Sequence, residues 1–111
     1  ETNNNTNQKQ LDEEAKKKQL LQSSNFNKDG YDLYLQGKHA EAILLFRKAL
    51  EIRLKVLGDR HDDVASVYNS IGTCLREQGK YGDALKNHQK ALDIDLGAHG
   101  DWHTLTADTY D

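Results

Sequence analysis

Oxygen-bearing side chains at Asn25, Asn27 and Asp29, followed by Gly30, Tyr31 and Gln36, fall near the places that a calcium-binding loop fills. Helical sequence flanks both sides, which makes a calcium-binding helix-loop-helix over residues 25–36 one candidate reading. The fit is incomplete. Gln36 stands where a bidentate carboxylate closes such a loop, Asn25 stands where Asp opens it, and Asp32 occupies a place where an apolar residue packs. His99 and His103 invite a zinc reading, but two ligands do not close a tetrahedral site, and Gly100 lies between them, so they do not share a helix face. Cys74 has no second cysteine to join and reads as a small core residue. No Gly-rich phosphate loop follows a strand, and no nucleophile, base and acid set stands out. The sequence points to a non-enzyme with no cofactor.

The elements that would hold these residues are written twice. At a spacing of 42 residues, Gly30, Leu33, Gln36, Gly37, Lys38, Ala42, Lys48, Ala49, Leu50, Ile52 and Leu54 recur as Gly72, Leu75, Gln78, Gly79, Lys80, Ala84, Lys90, Ala91, Leu92, Ile94 and Leu96. Gly58, Asp59, His61, Ala65 and Tyr68 recur as Gly100, Asp101, His103, Ala107 and Tyr110. Matched glycines and matched apolar positions at a fixed period indicate a stacked repeat. They also weaken the calcium reading, because Gly30 recurs as Gly72 where no such loop exists. For the same reason His61 and His103 read as turn residues.

Along the chain, residues 1–10 are dominated by Asn, Thr and Gln with nothing apolar to bury, and are expected to form a disordered leader. Residues 11–25 read as a helical extension, in which Asp12, Glu13 and Glu14 stand four residues before Lys16, Lys17 and Lys18. Whether 11–36 is one helix or two is left open by the sequence. Gly37 stops that segment, and His39 to Leu57 carries Ala42, Ile43, Phe46, Ala49, Leu50 and Leu54 at helical spacing before Gly58. Asp62 or Asp63 is expected to cap the next helix, Val64 to Gln78. Gly79 ends it, Tyr81 to about Ala98 repeats the long helix, and a third copy starts at Thr104. The spacing predicts repeat 1 at about 21–60, repeat 2 at about 63–100 and a partial repeat 3 at 104–111, within an array over 26–111 that is part of a longer one. Arg47, Lys48, Arg53 and Lys55 alternate with apolar residues and read as a solvated outer face.

A net charge of -3, with no Lys/Arg cluster interleaved with aromatics, gives no reason to expect nucleic acid. No apolar run approaches the roughly 20 residues that span a bilayer, so no membrane role is expected. A single cysteine is compatible with a reducing compartment, which favours a cytoplasmic location.

The recurring residues resemble the tetratricopeptide repeat, whose pattern sets a large residue before a small one and an aromatic, then an Ala followed four residues later by an aromatic. Those places hold Tyr68, Ile71, Gly72, Leu75, Ala84 and His88 in the second copy, and Phe26, Asp29, Gly30, Leu33, Ala42 and Phe46 in the first. The period exceeds the family's usual length of about 34. In this it is similar to the repeats of kinesin light chain, through Ala49-Leu50-Glu51-Ile52-Arg53 and Val56-Leu57-Gly58-Asp59-Arg60-His61. The proline usual after the link histidine is replaced by Asp62 and Thr104, and Asp29 replaces an apolar residue, which suits an end repeat with an uncovered face.

The resemblance implies an all-α fold of antiparallel helical hairpins stacked in a right-handed superhelix, acting as a protein-interaction scaffold. Its concave face, lined by the first helix of each hairpin, would take an extended peptide or a helix. Carried onto this chain, the peptide-facing set is Asn27, Tyr31 and Tyr34, then Asn69, Thr73 and Arg76, then Asp108. Tyr31 and Thr73 stand where a clamp for C-terminal carboxylates would want Asn, which discounts that ligand class. The EF-hand-like alternative at 25–36 and a purely structural segment that self-associates through uncovered repeat ends are the competing expectations.

Overall fold

A computed structural model describes residues 2–99, with side chains described from residue 7 to residue 97. They form four helices in the order α1 (Thr2–Leu35), α2 (His39–Leu57), α3 (Asp62–Glu77) and α4 (Tyr81–His99), with no strand among the described residues. Helices α1 and α2 form one antiparallel hairpin and α3 and α4 a second, and α3 is packed between α2 and α4. The partial repeat expected at 104–111 lies outside the described residues.

Each hairpin turns in the same way. Gly37 and Gly79 both have φ near +80°. The Gly37 N–H donates to the Tyr34 carbonyl at 2.9 Å and the Lys38 N–H to the Leu33 carbonyl at 2.9 Å. In the second hairpin Gly79 donates to Arg76 at 2.9 Å and Lys80 to Leu75 at 2.8 Å. This paired bonding satisfies the last carbonyls of a helix only if the residue after it adopts positive φ, where a Cβ would be strained.

Within each hairpin the helices approach at a glycine. A Cβ on Gly30 would lie 2.9 Å from the Phe46 ring, and one on Gly72 would lie 2.8 Å from His88 Nε2. The repeated small residues thus seat the ring of the opposite helix. Phe46, Ile71, Val67 and Cys74 are almost fully buried in a cluster with Ala42, Ile43, Leu75 and Ala84. Val64, Ala65, Ala91 and Ile94 form a second cluster, and half-buried Leu50 packs against both. Burying a side chain such as Ile71 stabilises by about 1.5–3 kcal/mol.

The sequence reading needs four corrections. Residues 2–10, expected as a disordered leader, are helical and continuous with α1, and 11–36 carries one helix, ending at Leu35. Extending a helix already nucleated against α2 avoids the unfavourable first turn, so weak formers are carried along. The acid-before-base pairs from Asp12 to Lys18 do not close as ion pairs; instead Gln8 Nε2 donates to Asp12 Oδ1 at 3.0 Å. The cap of α3 is His61, whose Nδ1 accepts from the Asp63 N–H at 3.0 Å, because the helix starts before the expected Val64. Finally, Arg53 is not on the solvated face. It is 9% exposed and continues the buried stripe of Ala42, Phe46 and Ala49.

Arg53 ties three helices together with neutral partners. Its Nε donates to Ser23 Oγ on α1 at 3.1 Å, and its Nη1 to the Asp63 carbonyl at 3.0 Å and Ser66 Oγ at 3.5 Å on α3. A fixed hydrogen-bonding cation at this place sets how the second hairpin sits on the first.

The two ends of the stack differ. Val64, Val67, Ile71 and Cys74 of α3 are fully buried, while their counterparts in α1, Gln22, Asn25, Asp29 and Asp32, are all exposed. The outer side of α1 is polar where the same side of α3 is apolar. At the other end Leu85 of α4 is 65% exposed, whereas its counterpart Ile43 is 8% exposed against the second hairpin.

Four substitutions test this packing. Gly72→Ala drives a methyl into the His88 ring and is expected to cost about 1–3 kcal/mol in urea denaturation. Gly82→Ala, with nothing within 4 Å of the new Cβ, is expected to be neutral or slightly stabilising. At Arg53, Arg53→Met removes a costly buried charge together with its bonds and should shift stability little. Ser23→Ala leaves the guanidinium short of an acceptor and should cost about 1–3 kcal/mol. A larger loss from Arg53→Met than from Ser23→Ala would contradict this account.

Candidate functional site

Three of the seven candidate peptide-facing residues, Tyr31, Tyr34 and Thr73, line one cleft. Tyr31 and Tyr34 from α1 and Ser70 and Thr73 from α3 line a cleft of about 90 Å³ whose floor is the Phe46 ring. Positions 27, 31 and 34 share one face of α1, and 69, 73 and 76 share one face of α3, by helical spacing. The cleft therefore spans the junction between the two hairpins. Tyr31 is 54% exposed and stacks on the half-buried Tyr34 with ring centroids 6.1 Å apart and an interplanar angle of 29°. Tyr34 in turn packs against His39 at the start of α2, 5.4 Å between centroids. The rings are thus held by the turn at Gly37, and Tyr31 presents its apolar area outward.

Hydroxyls on the α3 side are already committed. Thr73 Oγ1 donates to the Asn69 carbonyl at 3.0 Å, and Ser70 Oγ donates to the Ser66 carbonyl at 3.1 Å. Asn69 does not stand free: its Oδ1 is 2.9 Å from His88 Nδ1 on α4. The equivalent pair in the first hairpin is Asn27 and Phe46, and a phenyl ring cannot donate. Asn27 Oδ1 is accordingly buried without a hydrogen-bond partner. Arg76 is exposed beside Glu77, 3.8 Å from its carboxylate, and does not line the cleft. Asp108 lies outside the described residues. Ser70, missed by the sequence reading, is identified by its position one turn before Thr73 and by its half-buried side chain.

The calcium reading is overturned by backbone geometry. Residues 25–35 are helical within α1, so Asn25, Asn27 and Asp29 point around a helix and cannot converge as the ligands of a loop would. The pattern arose because Gly30 is a helix-contact glycine. Among the described residues no group of three or more His, Cys, Asp or Glu could hold a metal ion. His103 lies outside them. No helix of the described residues is long and apolar enough to cross a membrane.

Cys74 is fully buried between the hairpins, and its thiol is pushed up from 9.0 to about 11 by burial first and by the Glu77 carboxylate second. An inert core thiol is the chemistry that follows.

Among protein families, the tetratricopeptide repeat matches residues 28–110. No curated protein matches the chain.

Because the thiol is harder to ionise in the fold than in the unfolded chain, its stabilising contribution is complete below pH about 9 and lost as pH rises toward about 11. Urea midpoints measured across that range should fall with pH, and the fall should be shallower in Cys74→Ala. Parallel slopes for the two proteins would exclude the thiol as a source of the decline.

Proposed function

Since the chain belongs to the tetratricopeptide repeat family, whose repeats generally mediate contacts between proteins, we propose that it is a non-catalytic scaffold that captures a peptide or helix across α1 and α3. The observation that carries this reading is the cleft at the hairpin junction, where Tyr31 is left 54% exposed over a floor of Phe46. The residues that let helices touch recur at the repeat spacing, but Tyr31, Tyr34 and Arg76 do not. Partner choice is assigned to these non-recurring positions, with Tyr31 and Thr73 as the principal contacts. Asn27, Tyr34, Asn69 and Arg76 flank them, and Asp108 extends the same face by the repeat spacing. The 19-residue second helices, α2 and α4, support the kinesin-light-chain-like variant of the repeat. A lone buried cysteine supports a cytoplasmic location.

A second reading is that the segment mainly stacks on further repeats. The exposure of Leu85, against the burial of its counterpart Ile43, favours an additional unit at the α4 end. The two readings are compatible, because stacking uses that end and capture uses the cleft.

Peptides selected from a displayed library against the folded chain provide the test, with affinity read by fluorescence anisotropy. Tyr31→Ala is expected to weaken binding roughly tenfold. Leu44→Ala, exposed on α2 away from the cleft, should change nothing. Full affinity in both Tyr31→Ala and Thr73→Ala would remove the groove assignment.

A further inference from the structure

The chemistry lining the cleft is one-sided. Each hydroxyl on its α3 wall has a single proton, and both protons are spent on backbone carbonyls, Ser70 on Ser66 at 3.1 Å and Thr73 on Asn69 at 3.0 Å. What these oxygens have left is lone pairs. The opposite wall is the Tyr31–Tyr34 pair, whose ring faces carry the negative side of the aromatic quadrupole. Neither Lys nor Arg lines the cleft, and the Phe46 floor brings no donor.

The same fold covers aromatic rings with cations elsewhere. Lys48 Nζ lies 5.5 Å from the Phe26 ring centre, and its counterpart Lys90 lies 5.4 Å from Tyr68. Among the described residues the Tyr31–Tyr34 pair has no such cation over it. We propose that the cleft takes the guanidinium of an arginine on the captured protein, laid against Tyr31 and donating sideways to Ser70 and Thr73. This deepens the peptide-capture reading above and rests on it. A planar cation suits a slot walled by a ring on one side and acceptors on the other, and it sheds water more readily than a lysine ammonium. A carboxylate would meet lone pairs and ring faces with only the phenol protons to receive it. A leucine would fill the space but leave the hydroxyl oxygens without donors.

The test uses the isotope-labelled chain and capped glycine peptides carrying one central arginine, citrulline, leucine or glutamate, followed through the amide resonances of Tyr31, Ser70 and Thr73. Citrulline keeps the shape and most of the donors and lacks the charge. Arginine is expected to bind about three- to tenfold more tightly than citrulline, with glutamate weakest. In Tyr31→Leu, shown to be folded by its helical circular dichroism, the gap between arginine and citrulline should close. Equal affinity for arginine and citrulline, or tighter binding of leucine or glutamate at these resonances, overturns the proposal while leaving peptide capture standing. If none of the four shifts the cleft but a library-selected peptide does, the arginine assignment falls alone. If the selected peptide also leaves these resonances unmoved, the groove reading falls with it.

Discussion

Within each hairpin a ring is set directly on a glycine, and the rest of the architecture depends on that contact. At Gly30 the ring is Phe46, and at Gly72 it is His88, each within about 3 Å of where a side chain would begin. That contact fixes the distance between the two helices of a hairpin, and the distance decides which neighbours must be small. Ala42, Ala49, Ala84 and Ala91 are buried for this reason. Close packing inside the hairpin then leaves one face of each first helix free, and the cleft is what remains between two such faces.

The second copy departs from the first at this same contact. With Phe46 the contact is apolar and leaves Asn27 without a donor, whereas with His88 it gains a hydrogen bond to Asn69. Both rings fill the same space, so the scaffold tolerates the exchange. The consequence falls on the two asparagines, one of which is hydrogen-bonded and the other not.

Much of the architecture could be read from residue types because its requirements are local. A left-handed turn needs Gly37 and Gly79, and a helix contact needs Gly30 and Gly72, so period and small residues together revealed the hairpins. Other features depended on the environment of a residue. Arg53 looked like a surface charge because arginine is usually exposed, although its spacing from Ala42, Phe46 and Ala49 already placed it on the inner stripe. The calcium pattern failed because oxygen side chains around a glycine occur on helices as well as in loops. The N-terminal residues were misjudged by composition, since neighbouring structure can extend a helix through weak formers. Of the cleft lining, Tyr31, Tyr34 and Thr73 were in the set the resemblance implied, and Ser70 was not. Which residues share the cleft was not legible, because that depends on how α3 crosses α1.

The contrast between the two ends of the stack bears on symmetry. Copies joined head to tail would press the apolar side of α4 around Leu85 against Gln22, Asn25, Asp29 and Asp32 of the next molecule, burying polar groups with no partners provided. A heterologous contact of this kind is the one that propagates into open filaments. The polar side of α1 therefore offers no apolar surface for such a contact to cover.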